Sequence, residues 1–315
     1  MIYIGLFLLA VALTYVIKVY ATQKAVLDIP NERSSHARPT PKGGGLAIII
    51  VFYIGLFYFK ESIDSKLLYA LLCAIPIAII SFIDDIFTLS SKVRFLIQSA
   101  SAGMALYFLG GISSIDFILF ELDGWWLNIV AFLAMVWLTN LYNFLDGIDG
   151  YAGSEAAIVG LGIFVFFHNP LGLLIVVSSL GFLLFNWHQA SVFMGDVGSA
   201  TLGFIFSIFV FYDTSHGSIY IWLILLSLFW FDATLTFIRR YRNGEPITQA
   251  HKKHAYQRLT QSGWSHDKVV WFAFVFNLIF FVLLYFVENV LIVFVLNIIA
   301  LTIIVKLIDA KKSFI

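Results

Sequence analysis

The chain has 315 residues, of which 61% are hydrophobic and 12% charged, and its mean hydropathy is +0.93. Soluble domains run nearer about half apolar and roughly a quarter charged, so this composition excludes a water-soluble enzyme, a disordered chain and a nucleic-acid binder with a basic face. Net charge is zero, so only the positions of the charges carry information.

A spanning helix needs about 20 mostly apolar residues, with about 17 still sufficient. On that measure the apolar runs predict roughly eleven helices: 2–20, 44–59, 67–83, 93–111, 125–142, 152–168, 170–187, 198–212, 219–238, 269–287 and 290–308. The first run has no basic stretch ahead of its apolar core, so it is expected to stay as a helix rather than leave as a signal peptide. Cys73 lies inside the third run and reads as a small buried side chain. A single cysteine allows neither an internal disulfide nor a Cys-based metal site. Trp125, Trp126, Trp187, Trp264 and Trp271 fall near span ends and read as interfacial anchors.

Lys and Arg concentrate in cytoplasmic loops of membrane proteins. With the N-terminus outside, one side receives Lys18, Lys24, Arg33, Arg38 and Lys42, then Lys92 and Arg94. The run from Arg239 to Lys268 follows on that side, and so do Lys306, Lys311 and Lys312. Only Lys60 and Lys66 fall outside. The expectation is an all-α polytopic protein, one membrane domain over 1–315, with the C-terminus cytoplasmic. Its cytoplasmic loops are about 21–43, 84–92, 143–151, 187–197 and 239–268. No Pro-rich linker, low-complexity tract or internal repeat divides it.

Ionisable groups are costly in lipid, so acids at span ends are functional candidates. Glu61, Asp64, Asp116, Glu121, Asp123, Asp213 and Glu288 are scattered among outside turns and read as solvated loop residues. The inside acids cluster. Asp84 and Asp85 end the third span. Asp146 and Asp149 follow the fifth, in Asn140-Leu-Tyr-Asn143-Phe-Leu-Asp146-Gly-Ile-Asp149-Gly. Asp196 sits in Phe193-Met-Gly-Asp196-Val-Gly198, between the seventh and eighth. The loops of Asp146, Asp149 and Asp196 contain no Lys or Arg. Clustered carboxylates need a positive partner, and hard oxygen ligands suit Mg²⁺ shared with substrate phosphates. A bland alternative is that each Asp caps a helix. It serves for one Asp better than for five on one face.

The basic loops complement the acids. His251-Lys-Lys-His254-Ala-Tyr-Gln-Arg258 packs five cationic or titratable groups together, and His36, Arg38 and Lys42 precede Gly43-Gly-Gly45. Inside-loop charge and anionic-lipid binding account for Lys24, Lys311 and Lys312, but less well for His, Gln and Tyr mixed among basic residues. The residues together describe Mg²⁺-dependent phosphate chemistry at the cytoplasmic face, with a soluble anionic donor and an acceptor dissolved in the bilayer.

In this order, Asp84-Asp85, Asn140…Asn143…Asp146-Gly-Ile-Asp149-Gly, Phe193-Met-Gly-Asp196-Val-Gly-Ser and the late His-containing loop resemble the polyprenyl-phosphate N-acetylhexosamine-1-phosphate transferases, glycosyltransferase family 4. The resemblance covers nearly the whole chain. It implies a bacterial inner-membrane enzyme that moves a sugar-1-phosphate from a UDP-N-acetylhexosamine to undecaprenyl phosphate and releases UMP. Such enzymes start lipid-linked cell-envelope glycans. Mg²⁺ is the implied ion, with Mn²⁺ as its substitute; the partners are the two substrates and membrane lipid, not nucleic acid, and a homodimer is allowed. The resemblance makes Asp196 a metal ligand, with Asn143 and Asp85 beside it. It makes Asp84 the base or orienter for the lipid phosphate, and places Asp149 at the uracil with Asp146 supporting its loop. Asn140, Lys92, Arg94, His36, Lys42, His251, His254 and Arg258 are the implied substrate contacts. Asp232 matches a family position ahead of Arg239 and Arg240, with an ion pair as its plain alternative.

The lipid I-forming translocases carry three consecutive histidines in the late loop, where this chain has His251-Lys-Lys-His254. The form His-x-x-His-Ala-Tyr-Gln-Arg is closer to the branch that starts lipopolysaccharide O-antigen. The CDP-alcohol phosphatidyltransferases require Ala-Arg after an Asp-Gly, but Gly150 is followed by Tyr-Ala-Gly-Ser-Glu155. A transporter of an anionic solute would place polar groups near the bilayer midplane, whereas these acids gather at span ends.

Overall fold

The computed structural model describes residues 1–30, 38–214, 217–246, 249 and 251–314. Among them are fourteen α-helices: α1 (Ile2–Gln23), α2 (Gly45–Tyr58), α3 (Ser65–Leu72), α4 (Ile75–Phe87), α5 (Ser91–Leu109), α6 (Leu127–Leu145), α7 (Tyr151–Phe166), α8 (Leu171–Asn186), α9 (Asp196–Tyr212), α10 (Ser218–Leu225), α11 (Ser227–Arg242), α12 (Ala255–Gln261), α13 (His266–Phe286) and α14 (Val290–Lys311). Two short antiparallel ladders join β1 (Leu27–Asp28) to β2 (Thr40–Pro41) and β3 (Ser114–Asp116) to β4 (Glu121–Asp123).

Each apolar run of the sequence is helical. The helices α1, α6, α13, α14 and the α3–α4 segment are long and apolar enough to cross a membrane, and α10 with α11 makes a sixth candidate. The shorter apolar helices α2, α7, α8 and α9 run 14 to 17 residues. Leu8, Phe57, Leu133, Leu184, Ile279 and Ile303 are among many large apolar side chains left exposed. Water tolerates no such extent of apolar surface, and lipid covers it without cost. The protein is a multi-pass membrane protein.

Two runs expected as single helices are broken. The third divides at Cys73-Ala74, because Pro76 has no N–H to extend the α3 ladder and instead sits in the first turn of α4. The ninth bends by 77° between α10 and α11. There the Trp230 indole N–H donates to the Leu223 carbonyl at 2.7 Å, which satisfies a backbone acceptor at the break.

Helix α9 is the centre of the bundle: every residue from Val197 to Phe211 is buried. It packs mainly on α6, α4 and α2, while α8 joins α7, α1 and α2 around it. The α2–α9 crossing is backbone on backbone. A Cβ on Gly45 would stand 2.5 Å from the Gly198 Cα, so only glycine fits and the two N-termini meet, as small residues permit between membrane helices. The C-termini of α4 and α6 reach the same end. Gly45→Val should therefore lower stability by about 1–3 kcal/mol or more, read as a loss of folded yield and a lower unfolding midpoint in detergent. An unchanged midpoint would refute this contact.

Candidate active site

The chain 41–45 runs beside 193–194 as a strap. Phe193 N–H donates to the Pro41 carbonyl at 2.8 Å, Gly44 N–H to the Phe193 carbonyl at 2.9 Å, and Gly45 N–H to the Met194 carbonyl at 2.8 Å. Gly195 then turns with φ 75°, and a Cβ there would meet the Asp85 carboxylate at 2.6 Å. This turn starts α9 at Asp196.

Asp85 comes from α4 but caps α9: its two oxygens accept the Asp196 and Val197 backbone N–H groups, each at 3.1 Å. A carboxylate at a helix N-terminus satisfies free donors and meets the positive end of the helix dipole. Lys42 Nζ is 3.8 Å from Asp85. Arg94, in the first turn of α5, places one guanidinium nitrogen 2.7 Å from Asp84 and 2.8 Å from Asp196. Asp84 also accepts the Leu89 N–H, which closes the turn between α4 and α5. Asn143 donates to Ser199 Oγ at 3.0 Å and also hydrogen-bonds Asp196. Asn140 donates to Gln98 at 2.8 Å.

Four of the five predicted aspartates thus share one site. Burial, with Asp196 and Asp85 nearby, pushes the Asp146 carboxyl up to about 8. Asp149 stands apart. Burial raises it, but hydrogen bonds from His266, the Ala190 N–H and His188 outweigh that and hold it below its ordinary value. Neither histidine was singled out in the sequence, where each is a lone His beside a tryptophan-containing turn.

Two cavities open at these residues, one at Arg94 and one at Asp149. A groove of about 500 Å³ between α5 and α6 has Lys92, Arg94, Gln98 and Asn140 at its polar end, then Val136, Phe132 and Leu133. Leu133 and Phe95 on its walls are exposed, so it opens sideways into the apolar surround. A second cavity of about 560 Å³ is walled by Arg38, Thr40, Asp149, His188, Phe193 and His266. Lys42 and Asp196, at the cluster, are within three residues of its Pro41 and Phe193.

The late loop differs from expectation. Arg258 is buried, and its guanidinium is bound to Asp309 of α14 and to the Lys312 carbonyl at that helix's end, so it fastens the C-terminal helix. Arg239 grips the same Asp309 through two bonds at 3.0 and 2.9 Å. His254 is buried with Nδ1 3.5 Å from Asp232; Asp232 in turn accepts the Ala255 N–H at 2.8 Å and anchors α12. Burial, with His254 and Arg240 adding to it, lowers His251 to about 4, so it is neutral at pH 7 and supplies no cation. Besides His266, the loop touches the site through Tyr256, whose hydroxyl donates to the Phe144 carbonyl at 3.2 Å and lies against Gly147. His36 lies outside the described residues.

Two expectations follow. Between the ordinary aspartate range and about pH 8, folded Asp146 keeps a proton that the unfolded chain has lost. Stability contributed by this group therefore falls as pH rises through that window. Asp146→Asn, neutral throughout, should remove that part of the fall in unfolding midpoints; an identical slope would count against it. Asp309→Ala leaves buried Arg258 without its carboxylate and should cost about 3 kcal/mol, measured by denaturation in detergent.

Comparison with known proteins finds relatives along most of the chain. The profile of the family described as Glycosyl transferase family 4 matches residues 67–213, which hold all five aspartates. The chain is 32% identical over 286 residues to the probable undecaprenyl-phosphate N-acetylglucosaminyl 1-phosphate transferase of Bacillus subtilis, covering 85% of this chain and 79% of that protein. It is 28% identical over 307 residues to the decaprenyl-phosphate N-acetylglucosaminephosphotransferase of Mycobacterium leprae, with 82% and 75% covered. The undecaprenyl-phosphate alpha-N-acetylglucosaminyl 1-phosphate transferase of Escherichia coli O157:H7 is 25% identical over 291 residues, with 83% and 76% covered. With its motifs, its helical architecture and this extent of similarity, the chain belongs to glycosyl transferase family 4.

Proposed function

We propose that this protein transfers N-acetylhexosamine-1-phosphate from a UDP-sugar to undecaprenyl phosphate, at the cytoplasmic face of a bacterial inner membrane. The product starts a lipid-linked envelope glycan, with O-antigen the pathway favoured by the late-loop sequence. The observation that carries the reading is that a lateral apolar groove ends at Arg94, the partner of Asp84 and Asp196, while a polar cavity opens at Asp149. Such a layout suits one substrate that stays in lipid and one that arrives from water.

In this reading the polyprenyl chain lies along Phe132, Leu133 and Val136, and its phosphate meets Lys92 and Arg94. At neutral pH that phosphate is already largely ionised, so little is asked of a general base. Asp84 acts by fixing Arg94, which it holds at 2.7 Å. The donor's base and ribose occupy the cavity of Asp149 and Phe193, with Arg38 and Lys42 toward its phosphates. A lipid phosphate oxygen attacks the sugar-linked phosphorus. That P–O bond forms as the bond to the UMP oxygen breaks, and the sugar keeps its own phosphate.

The donor set fits a hard ion. Asp196 and Asn143 offer oxygen, and Asp196 is about a third exposed, which leaves room for water and substrate oxygens, as Mg²⁺ requires. Asp85 spends both oxygens on the α9 N-terminus, so its role is to orient Asp196 rather than to lead the coordination. Once bound, the ion supplies charge neutralisation on the diphosphate oxygens. Arg94 and Lys42 add fixed positive charge to the same developing negative charge.

The test is UMP release by purified protein with undecaprenyl phosphate and Mg²⁺, across a panel of UDP-N-acetylhexosamines. One donor should support turnover, EDTA should abolish it, and Asp196→Asn should lower it by about 100-fold or more, the order lost when a stabilising group is removed from a phosphoryl or acyl transfer site. No release with any donor from folded protein, or full activity in Asp196→Asn, would overturn the assignment.

A further inference from the structure

Asp149 belongs to a second constellation with different chemistry from the oxygen-only cluster at Asp196. Its Oδ2 lies 3.1 Å from His188 Nδ1 and 3.3 Å from His266 Nδ1. These three ligand atoms lie within 4.8 Å of one another. They come from separate segments: the turn after α6, the loop before α9 and the first residue of α13. Two rings inclined at 62°, with centroids 5.6 Å apart, frame one carboxylate oxygen.

In the protein alone His188, His266 and the Ala190 N–H hydrogen-bond this carboxylate. A metal ion would displace the protons of the two histidines and take their Nδ1 lone pairs together with the carboxylate oxygen. Among the described residues no Lys or Arg pairs with Asp149; its charged partners are the two histidines. A tetrahedral ion with bonds of about 2.0–2.1 Å has ligand atoms about 3.4 Å apart. The observed 3.1 and 3.3 Å match that edge. Two imidazoles and one carboxylate select Zn²⁺, Co²⁺ or Ni²⁺ over Mg²⁺. The fourth side faces the cavity of about 560 Å³, so one coordination position stays open.

We propose that Asp149, His188 and His266 form a second metal site, for an ion of the Zn²⁺ class, on the wall of the donor cavity. An ion there takes the Asp149 oxygen that the donor's base needs, so the two exclude one another. The exclusion rests on the donor reading given above; the binding of the ion does not.

Co²⁺ is the probe. Added to purified metal-free protein, it should give the visible d–d bands of a low-coordinate nitrogen–oxygen site, at one equivalent. Zn²⁺ at one further equivalent should bleach them, while a large excess of Mg²⁺ should not. His188→Gln and His266→Gln should each weaken Co²⁺ binding by about tenfold or more, at least the loss seen for outer-shell partners, and Asp196→Asn should leave the bands in place. Absence of bands, or bleaching by Mg²⁺, would overturn the site without any variant needing to fold. Bands lost in Asp196→Asn and kept in both histidine variants would overturn it too. Uridine, which does not chelate Co²⁺, should compete the bands away. Bands indifferent to uridine would keep the metal site and overturn the exclusion.

Discussion

The N-terminus of α9 is held by a carboxylate that belongs to another helix. Asp85 leaves α4 to accept two backbone N–H groups of α9, and from that contact the site is built. It sets the α4–α9 distance and turns Asp196 toward Arg94. It also requires Gly195, because any side chain there would strike the same carboxylate. The Gly45–Gly198 crossing brings the strap and Lys42 alongside. A burial-driven bundle would tolerate sliding along apolar faces. Charged caps between helices do not, because a shift of one residue leaves N–H groups and a carboxylate unpaired in a poor solvent.

Much of this was legible in the sequence. The apolar runs gave every major helix, because length and hydropathy are local properties. Asp84, Asp85, Asp146 and Asp196 converge as their placement at span ends implied. The breaks were less visible. Pro76 was a readable signal for the α3–α4 division, but the α10–α11 bend lies at Leu226-Ser227, with neither proline nor glycine. It depends on Trp230 reaching back to Leu223, a tertiary fact. Arg258 misled for a related reason. A cation in a basic loop reads as ligand-directed, and its partner Asp309 lies 51 residues on, in a helix that composition marks only as apolar. His188 and His266 were missed because each is alone in sequence; only folding brings them to Asp149.

The aspartates therefore divide into two chemistries. Around Asp196 the candidate ligands are oxygens, and among the described residues the counter-charges are Arg94 and Lys42. Around Asp149 the partners are imidazoles. The two sets are tied by short segments: Gly147-Ile148 between Asp146 and Asp149, and residues 189–195 between His188 and Asp196. Tyr256 braces the first segment from the late loop, which itself hangs on Asp232 and on the Arg258–Asp309 clasp. Among the described residues of the long loop, Asp232's partner Ala255, Tyr256 and Arg258 each bind a neighbouring helix or its end.

Arg94 has a consequence for biogenesis. Its guanidinium already bridges Asp84 and Asp196 in the protein alone. Sites assembled around an ion commonly stay unfolded until the ion arrives. Here a covalently attached cation sits between two of the carboxylates, so this end of the bundle can close without a bound ion. Closing the bundle and binding substrate then become separate events, with the architecture standing before anything is bound.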